Sequence, residues 1–252
     1  MTRTIAISGK GGTGKTTVAA LLSKLLSEKG VVLAIDGDPS SNLNLALGLP
    51  LADTVGDVRE EMLSEVKSGT FAQGVTKKDY LELKIQEALV ESPRIDLLAM
   101  GRPEGPGCYC AANHILRVAI DRIASNYDYV VIDNEAGMEH ISRQTTRDVD
   151  VLLLVSDMSM RGLITAVRMK DLIAELRTKV GRIGLVLNRV SDGIPKELKQ
   201  KIEEARLELW GTLPEEPRLT QLDARGVPVV ELPPDSPLRF SLSEIASKAG
   251  LL

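Results

Sequence analysis

The sequence predicts an α/β fold: one domain with a mostly parallel, doubly wound sheet of about seven or eight strands. Short apolar runs alternate with amphipathic stretches of helical length, which is typical of a parallel sheet covered by helices on both faces. Apolar residues make up 43% of the chain and aromatic residues only 3%, so we expect the aliphatic core of buried parallel strands. A length of 252 residues suits a single domain, residues 1–252.

The alternating pattern gives the order of the elements. The predicted strands are residues 4–8, 31–36, 95–100, 129–133, 151–156, 183–188 and 209–213. The predicted helices are residues 15–29, 81–90, 113–124, 163–177, 195–207 and 238–249. Ligands of such sheets bind outside the carboxyl ends of the strands, so the residues that follow each strand are the candidates for function.

One segment interrupts the alternation. Residues 51–93 are charged, contain two short helical pieces and include a stretch, residues 67–70, that we expect to be flexible. A surface excursion and a region for docking a partner both fit this pattern, because loops often carry recognition. The sequence leaves the two interpretations open.

A glycine-rich turn follows the first predicted strand and precedes the first predicted helix. Its residues are Gly9, Lys10, Gly11, Gly12, Thr13, Gly14, Lys15 and Thr16, with Thr17 next. They fit the phosphate-loop pattern G-x-x-x-x-G-K-T in its required context, which predicts a P-loop NTPase. Glycines let main-chain N–H groups approach an anion, and the helix N-terminus adds partial positive charge. We expect Lys15 to reach the β- and γ-phosphates, Thr16 to bind Mg²⁺, and Thr17 to donate to an inner phosphate.

The same glycines also satisfy the dinucleotide-binding pattern G-x-G-x-x-G. Asp36 ends the next predicted strand, where a ribose-binding acid would lie. A dinucleotide, however, needs neither two lysines nor a magnesium-binding hydroxyl in the loop. Lys10, Lys15 and Thr16 therefore favour a triphosphate.

Composition excludes several classes of partner. The net charge of −4 argues against a general nucleic-acid surface, and no apolar run is long enough to span a membrane. The N-terminus enters a strand directly and shows no signal-peptide pattern. The two cysteines lie two positions apart, which argues against a disulfide framework. These observations predict a protein of the reducing cytoplasm that binds neither nucleic acid nor membrane.

Acidic residues follow two other predicted strands. Asp36 and Asp38 lie in the run Asp-Gly-Asp-Pro after the second strand, and a carboxylate there can orient a water near the developing phosphate charge. Asp133 ends the buried strand 129–133, where we expect it to hold Mg²⁺ through water. Gly137 follows in a switch-like segment, and its N–H is expected to sense the γ-phosphate.

The loop and the Asp-Gly-Asp-Pro run resemble the MinD/ArsA/nitrogenase iron-protein class of ATPases. The resemblance implies that Lys10 reaches the nucleotide of a partner subunit, that Asp38 positions or deprotonates the attacking water, and that Asn188, with Arg189 beside it, recognises adenine. Guanine-specific relatives carry N-K-x-D at this place. The run from Asn188 lacks that aspartate, which favours ATP, hydrolysed to ADP, over GTP.

The two cysteines form a C-x-C pair, Cys108 and Cys110, in a Gly- and Pro-rich loop, residues 101–112. Thiolates are soft ligands that suit nickel, zinc, copper(I) or iron–sulfur sites. A closed metal site needs four ligands, and one chain supplies two sulfurs. A symmetric homodimer would supply four sulfurs around one ion on its two-fold axis. Ordinary buried cysteines remain the alternative. His114, four residues beyond Cys110, is either an auxiliary ligand or a surface residue.

Together with the phosphate loop and the Asp36–Asp38 run, the C-x-C pair and the run from Asp133 to His140 resemble the CooC-type maturation ATPases, including the AcsF subgroup. The resemblance spans nearly the whole chain and implies a nucleotide- or metal-dependent homodimer. It would bind Ni²⁺, or Zn²⁺ in the same site, at Cys108 and Cys110. Its client would be carbon monoxide dehydrogenase or acetyl-CoA synthase.

Two other functions compete with nickel insertion. A positioning ATPase of the MinD or ParA type commonly carries a basic amphipathic tail, whereas residues 241–252 carry little positive charge. An electron-donor ATPase like the nitrogenase iron protein draws its cluster cysteines from separated loops, whereas these cysteines are neighbours.

Overall fold

The computed structural model describes residues 1–51, 53–71, 74–101, 118–134, 148–176 and 179–252. The strands are β1 (Arg3–Gly9), β2 (Val32–Asp36), β3 (Ile95–Ala99), β4 (Tyr129–Asp133), β5 (Asp148–Ser156), β6 (Lys179–Val190) and β7 (Leu209–Pro214). The helices are α1 (Lys15–Leu26), α2 (Leu43–Leu47), α3 (Val55–Ser68), α4 (Lys77–Ala88), α5 (118–124 of the described residues), α6 (Met160–Leu176), α7 (Lys196–Glu204), α8 (Pro217–Ala224) and α9 (Pro237–Lys248), with a 3₁₀ turn at Val229–Glu231.

The strands form one parallel sheet in the order β3-β2-β4-β1-β5-β6-β7. The predicted fold class is therefore confirmed, with seven strands in the described residues. Ile7 of β1 and Asp36 of β2 both lie level with Asp133 of β4, which separates them in the sheet. This register brings the ends of three neighbouring strands to one edge, where polar residues follow each of them.

Helices cover both faces of the sheet. On one face α1, α2, the 3₁₀ turn and α9 pack on alternate strand residues such as Ile5, Ile7 and Val131. On the other face α3, α4 and α5 pack on one half of the sheet, and α6 and α7 pack on the other half. Because both faces are buried, the strands read as continuous apolar runs, and the sequence shows them in that form.

The segment 51–93 is part of the core. Its two helices, α3 and α4, bury residues such as Val58, Met62 and Ile85 against the sheet, so the interpretation as a surface excursion is wrong. The stretch at 67–70 is also ordered: it ends α3, with Gly69 in the left-handed conformation and Thr70 N–H donating to the carbonyl of Glu65. Whether this face docks a partner stays a prediction.

Other differences lie at element ends and in short helices. The predicted helix at 81–90 begins four residues earlier in α4, after the cap at Thr76, and the predicted helix at 15–29 ends at Leu26. Helices α2 and α8 were not predicted. Helix α2 has only five residues and α8 buries none, so neither produces an apolar period that a window of helical length would detect.

Candidate nucleotide-binding site

The phosphate loop connects β1 to α1 with two glycines that no other residue can replace without strain. A Cβ on Gly9 would lie 2.0 Å from the carbonyl oxygen of Val155 on the neighbouring strand. Gly14 caps α1 with a φ of 89°, and its Cβ would lie 2.4 Å from Asn188 Nδ2. The buried hydroxyl of Thr13 donates to the Lys10 carbonyl at 2.9 Å and closes the turn.

The loop surrounds a cavity that suits phosphate groups. Gly11 and Gly12 would meet no atom within 4 Å if they carried a Cβ, so the backbone is open to an incoming group on that side. The cavity has a volume of about 390 Å³ and is lined by the loop glycines, Lys15, Thr16, Asp38 and Arg189. Nearly buried Lys15 supplies a cation beside the free N–H groups at the start of α1.

Thr16 and Asp133 meet at the base of this cavity. The Thr16 hydroxyl donates to Asp133 Oδ2 at 2.6 Å, and Oδ1 of the same carboxyl is buried without a hydrogen-bond partner among the described residues. Burial raises the pKa of Asp133 to about 7; the hydrogen bond from Thr16 opposes the rise, and the charge of Asp36 adds to it. A hydroxyl beside a carboxylate oxygen without a hydrogen-bond partner fits the oxygen-ligand preference of Mg²⁺. The Mg²⁺-binding role of these two residues stays a prediction.

Asp36 holds the loop that carries Asp38. Its buried carboxylate accepts from the N–H of Asp38 at 3.0 Å and from the N–H of Leu43, the first residue of α2, at 2.9 Å. Burial raises its pKa, and these two N–H donors lower it. Asp38 is half-buried at the cavity wall and accepts from Ser40 N–H at 2.8 Å. One oxygen of Asp38 is thus used to order its own turn, and the carboxylate faces the phosphate cavity.

Lys10 contacts its own chain. Its ammonium lies 3.8 Å from Asp157 Oδ2, just after β5, with the two side chains 40% and 30% exposed. Asp157 is itself held by the N–H and hydroxyl of Ser159 at the start of α6. The predicted role of Lys10 in a partner's nucleotide site would therefore require it to leave this ion pair.

A second cavity, of about 460 Å³, adjoins the phosphate cavity and suits a base. Its apolar lining includes Pro214, Leu219 and Leu238, and Gly14, Asn188 and Arg189 also line it. The Asn188 amide donates to the Thr13 carbonyl at 2.8 Å and accepts from Arg189 N–H at 2.9 Å, so it also ties β6 to the phosphate loop. Arg189 has a φ of 58° and lines both cavities.

The wall of the base cavity contains a network that sequence analysis missed. The carboxylate of Glu216 accepts from the Arg218 guanidinium at 2.9 and 3.0 Å and from the Ser236 hydroxyl at 2.6 Å. The bond from Arg218 lowers the pKa of Glu216 to about 2. Local sequence patterns do not reveal this network, because Ser236 lies twenty positions from Glu216 in the chain.

Several predicted site residues lie outside the described residues: Gly137, Cys108, Cys110 and His114, with the whole of 102–117 and 135–147. Within the described ranges, no group of three or more His, Cys, Asp or Glu side chains is arranged to hold a metal ion. In the same ranges, no helix has the combination of length and apolar character that a membrane span needs.

Comparison with known proteins identifies the family. Residues 4–229 match the family described as the CobQ/CobB/MinD/ParA nucleotide binding domain. The chain belongs to this family. An ATP-binding protein of Methanocaldococcus jannaschii whose role is uncharacterised is 46% identical over 97% of both chains. The carbon monoxide dehydrogenase accessory protein CooC of Rhodospirillum rubrum is 31% identical over 91% of this chain and 90% of its own.

Solved structures agree with this assignment. The septum site-determining protein MinD of Pyrococcus horikoshii, complexed with Mg-ADP, is 25% identical and covers 98% of this chain and 96% of its own, with a TM-score of 0.68. The predicted resemblance to the MinD class is thereby confirmed at the level of the family, as is the prediction of an ATPase. The phosphate and base cavities lie at the carboxyl edge, where such a family member would bind its nucleotide.

Proposed function

We propose that this member of the MinD/ParA family is an ATP-dependent metallochaperone that binds nickel and assists its insertion into carbon monoxide dehydrogenase or acetyl-CoA synthase. The observation that supports this most strongly is the relationship to the CooC accessory protein over nine tenths of both chains. The sequence also carries the Cys108-x-Cys110 pair, and two thiolates per chain suit a soft or borderline metal.

The nucleotide chemistry follows from the described residues. Lys15 and the main-chain N–H groups of the loop bind the phosphates of ATP, and the apolar wall at Pro214 and Leu219 takes the base. Thr16 and Asp133 would hold Mg²⁺, which neutralises phosphate charge when bound. Asp38 orients the attacking water, since its carboxylate lies at the wall of the phosphate cavity.

The cysteine loop begins beside the nucleotide site. Strand β3 ends at Ala99, and the N–H of Met100 donates to the carbonyl of Asp36 at 2.8 Å. Gly101 follows with a φ of 66°, and a Cβ there would lie 2.1 Å from the hydroxyl of Thr54. The chain that leads to Cys108 therefore starts next to a residue that is hydrogen-bonded to the main chain of Asp36, and the side chain of Asp36 holds the Asp38 loop. This continuity supports a coupling between the nucleotide and the metal.

A homodimer completes both sites in this proposal. Two copies of the C-x-C pair give the four thiolates of a closed site, which would also accept zinc. Lys10 leaves Asp157 and reaches the nucleotide of the partner subunit. ATP binding then favours the closed dimer, and hydrolysis favours the open one. Nickel and ATP therefore both shift the same equilibrium between an open and a closed dimer. The client enzyme receives nickel when the dimer opens.

Nickel binding by the double variant Cys108→Ala, Cys110→Ala tests the proposal. Equilibrium dialysis with the full chain should give about one nickel ion per two chains for the wild type and none above background for the variant. ATP affinity, measured in parallel without nickel, should be the same for both proteins, because the described residues that line the two nucleotide cavities are unchanged in the variant. Unchanged nickel binding in the variant would reject the C-x-C site.

The structural similarity to MinD supports a second candidate, a positioning ATPase. Such a protein would act by ATP-dependent binding to a membrane or to another protein. Sedimentation with liposomes of mixed anionic and neutral lipids, with and without ATP, separates the candidates. Cosedimentation that requires ATP and survives removal of both cysteines would favour this candidate over nickel insertion.

A further inference from the structure

A third cavity lies away from the nucleotide-binding site, where the last turn of α1 meets the end of α2 and the start of β3. It has a volume of about 290 Å³. Lys24 and Arg94 supply two cations to its wall, and Glu231 supplies one carboxylate. The remaining wall is mainly apolar and includes Leu47, Leu49 and Val230. Its size and mixed lining suit a small organic molecule.

Both cations are available to a ligand. No ion pair or hydrogen bond joins the side chain of Lys24 or Arg94 to another part of the chain that the structure describes. The nearby hydroxyls are already used, since Ser27 donates to the Lys24 carbonyl at 2.7 Å and Ser92 donates to the Ile95 carbonyl. The polar groups free to bind are therefore two cations against one carboxylate, which gives the cavity a net positive charge.

We propose that this cavity is an allosteric site for a small organic anion, a carboxylate or a phosphate monoester, that carries an apolar chain or ring. The anionic head would lie between Lys24 and Arg94, which can form charge-assisted hydrogen bonds with it. The apolar part would pack on Leu47, Leu49 and Val230, and so remove the exposed surface of the two half-buried residues, Leu49 and Val230, from water.

Three of the elements that line this cavity, α1, α2 and the 3₁₀ turn, also extend to the nucleotide site. Helix α1 starts at the phosphate loop and spans about 18 Å to the turn that carries Lys24. Helix α2 starts at Leu43, whose N–H binds Asp36, and ends at the cavity with Leu47. In the 3₁₀ turn, Val229 lines the base cavity, whereas the next residue, Val230, lines the anion cavity.

These elements also pack on each other tightly. A Cβ on Gly48, just after α2, would lie 2.7 Å from the side chain of Pro228, just before the 3₁₀ turn. Leu47 and Leu232 belong to the same buried cluster as α1. Close-packed interiors transmit displacements. A bound anion that shifts the C-terminal end of α2 would therefore also shift the N-terminal end of α2, where Leu43 is hydrogen-bonded to Asp36. The ligand and ATP then influence each other's affinity by the same factor.

Calorimetric titration of the full chain with hexanoate and with hexyl phosphate tests the site, with hexanol as the neutral comparison. One or both anions should bind saturably and hexanol should not, and the stronger of the two identifies the preferred head group. The variants Lys24→Gln and Arg94→Gln together should weaken binding about tenfold or more, because each loses a charged hydrogen bond. Lys29→Gln, an exposed lysine outside the cavity, should leave it unchanged.

Two further readouts separate this site from general loss of structure. Glu231→Gln removes the negative charge that repels the anion, so it should tighten anion binding about two- to fivefold. A damaged fold would not bind the anion more tightly. A saturating anion should change the affinity for a non-hydrolysable ATP analogue about fivefold or more. Absence of saturable anion binding, unchanged binding in the double Gln variant, or an unchanged nucleotide affinity would each overturn the proposal.

Discussion

Replacing Asp133 by Asn should stabilise the nucleotide-free protein and abolish its Mg²⁺-dependent ATP hydrolysis. Asp133 is 1% exposed, and burial raises its pKa from 3.8 to about 7. A raised pKa means that the folded state binds the proton more tightly than the unfolded state. Stability is therefore gained as the pH falls through 7 towards 4, and the ionised group destabilises the fold above pH 7.

The size of this effect follows from the pKa difference. A difference of about three pKa units at about 1.4 kcal/mol each gives a penalty of up to about 4 kcal/mol at pH 8. The raised pKa of Asp133 already includes the effects of nearby charges: Lys15 lowers it, and Asp36 and Asp38 raise it. The penalty therefore needs no further correction for these charges. An amide at position 133 carries no charge and can still accept the Thr16 hydroxyl.

Urea unfolding with EDTA at pH 6, 7 and 8 measures the effect. The wild type should lose stability across this range relative to the Asn variant, with the largest difference at pH 8. The wild type should also gain more from Mg²⁺ and ATP than the variant does, because the bound ion requires the carboxylate. Equal pH dependence in the two proteins, or a variant less stable than the wild type at pH 8, would show that the ionised Asp133 does not destabilise the fold.

Three more predictions follow from the phosphate loop and its neighbours. Asp38→Ala should lower kcat for ATP about 10²- to 10⁴-fold while ATP affinity changes little in direct binding, since a water-orienting carboxylate acts in the chemical step. Gly9→Ala should cost about 1–3 kcal/mol in urea unfolding because its Cβ meets a main-chain carbonyl, whereas Gly11→Ala, with open space around it, should cost less than about 0.5 kcal/mol. Asp157→Asn should free Lys10 and strengthen nucleotide-dependent dimerisation less than about fivefold in sedimentation velocity, since a half-exposed ion pair is worth about 1 kcal/mol or less.

The fold class and the position of the glycine-rich turn between β1 and α1 could be predicted from the sequence, because both depend on local patterns. Buried parallel strands appear as apolar runs, and the polar residue after each run must lie at the carboxyl edge. Asp36, Asp133 and Asn188 were therefore predicted at the positions where the structure places them, beside the loop that begins at Gly9.

The features that sequence analysis missed depend on distant residues. Nothing in the local sequence pairs Lys10 with Asp157, because the contact exists only once β1 and β5 are neighbours in the sheet. The burial of α3 and α4 was missed for a related reason: their surfaces are highly charged, and the few apolar residues on each become a core face only when the sheet is present.

In the proposed function, ATP at one site and nickel at another stabilise the same dimer. Light scattering coupled to size exclusion, with nickel analysis of each peak, tests it most directly across samples without ligand, with nickel, with a non-hydrolysable ATP analogue and with both. We expect the sample with both ligands to be a dimer that holds one nickel ion and two nucleotides. A monomer that retains nickel, or an ATP-bound dimer that excludes nickel while both cysteines are intact, would contradict it.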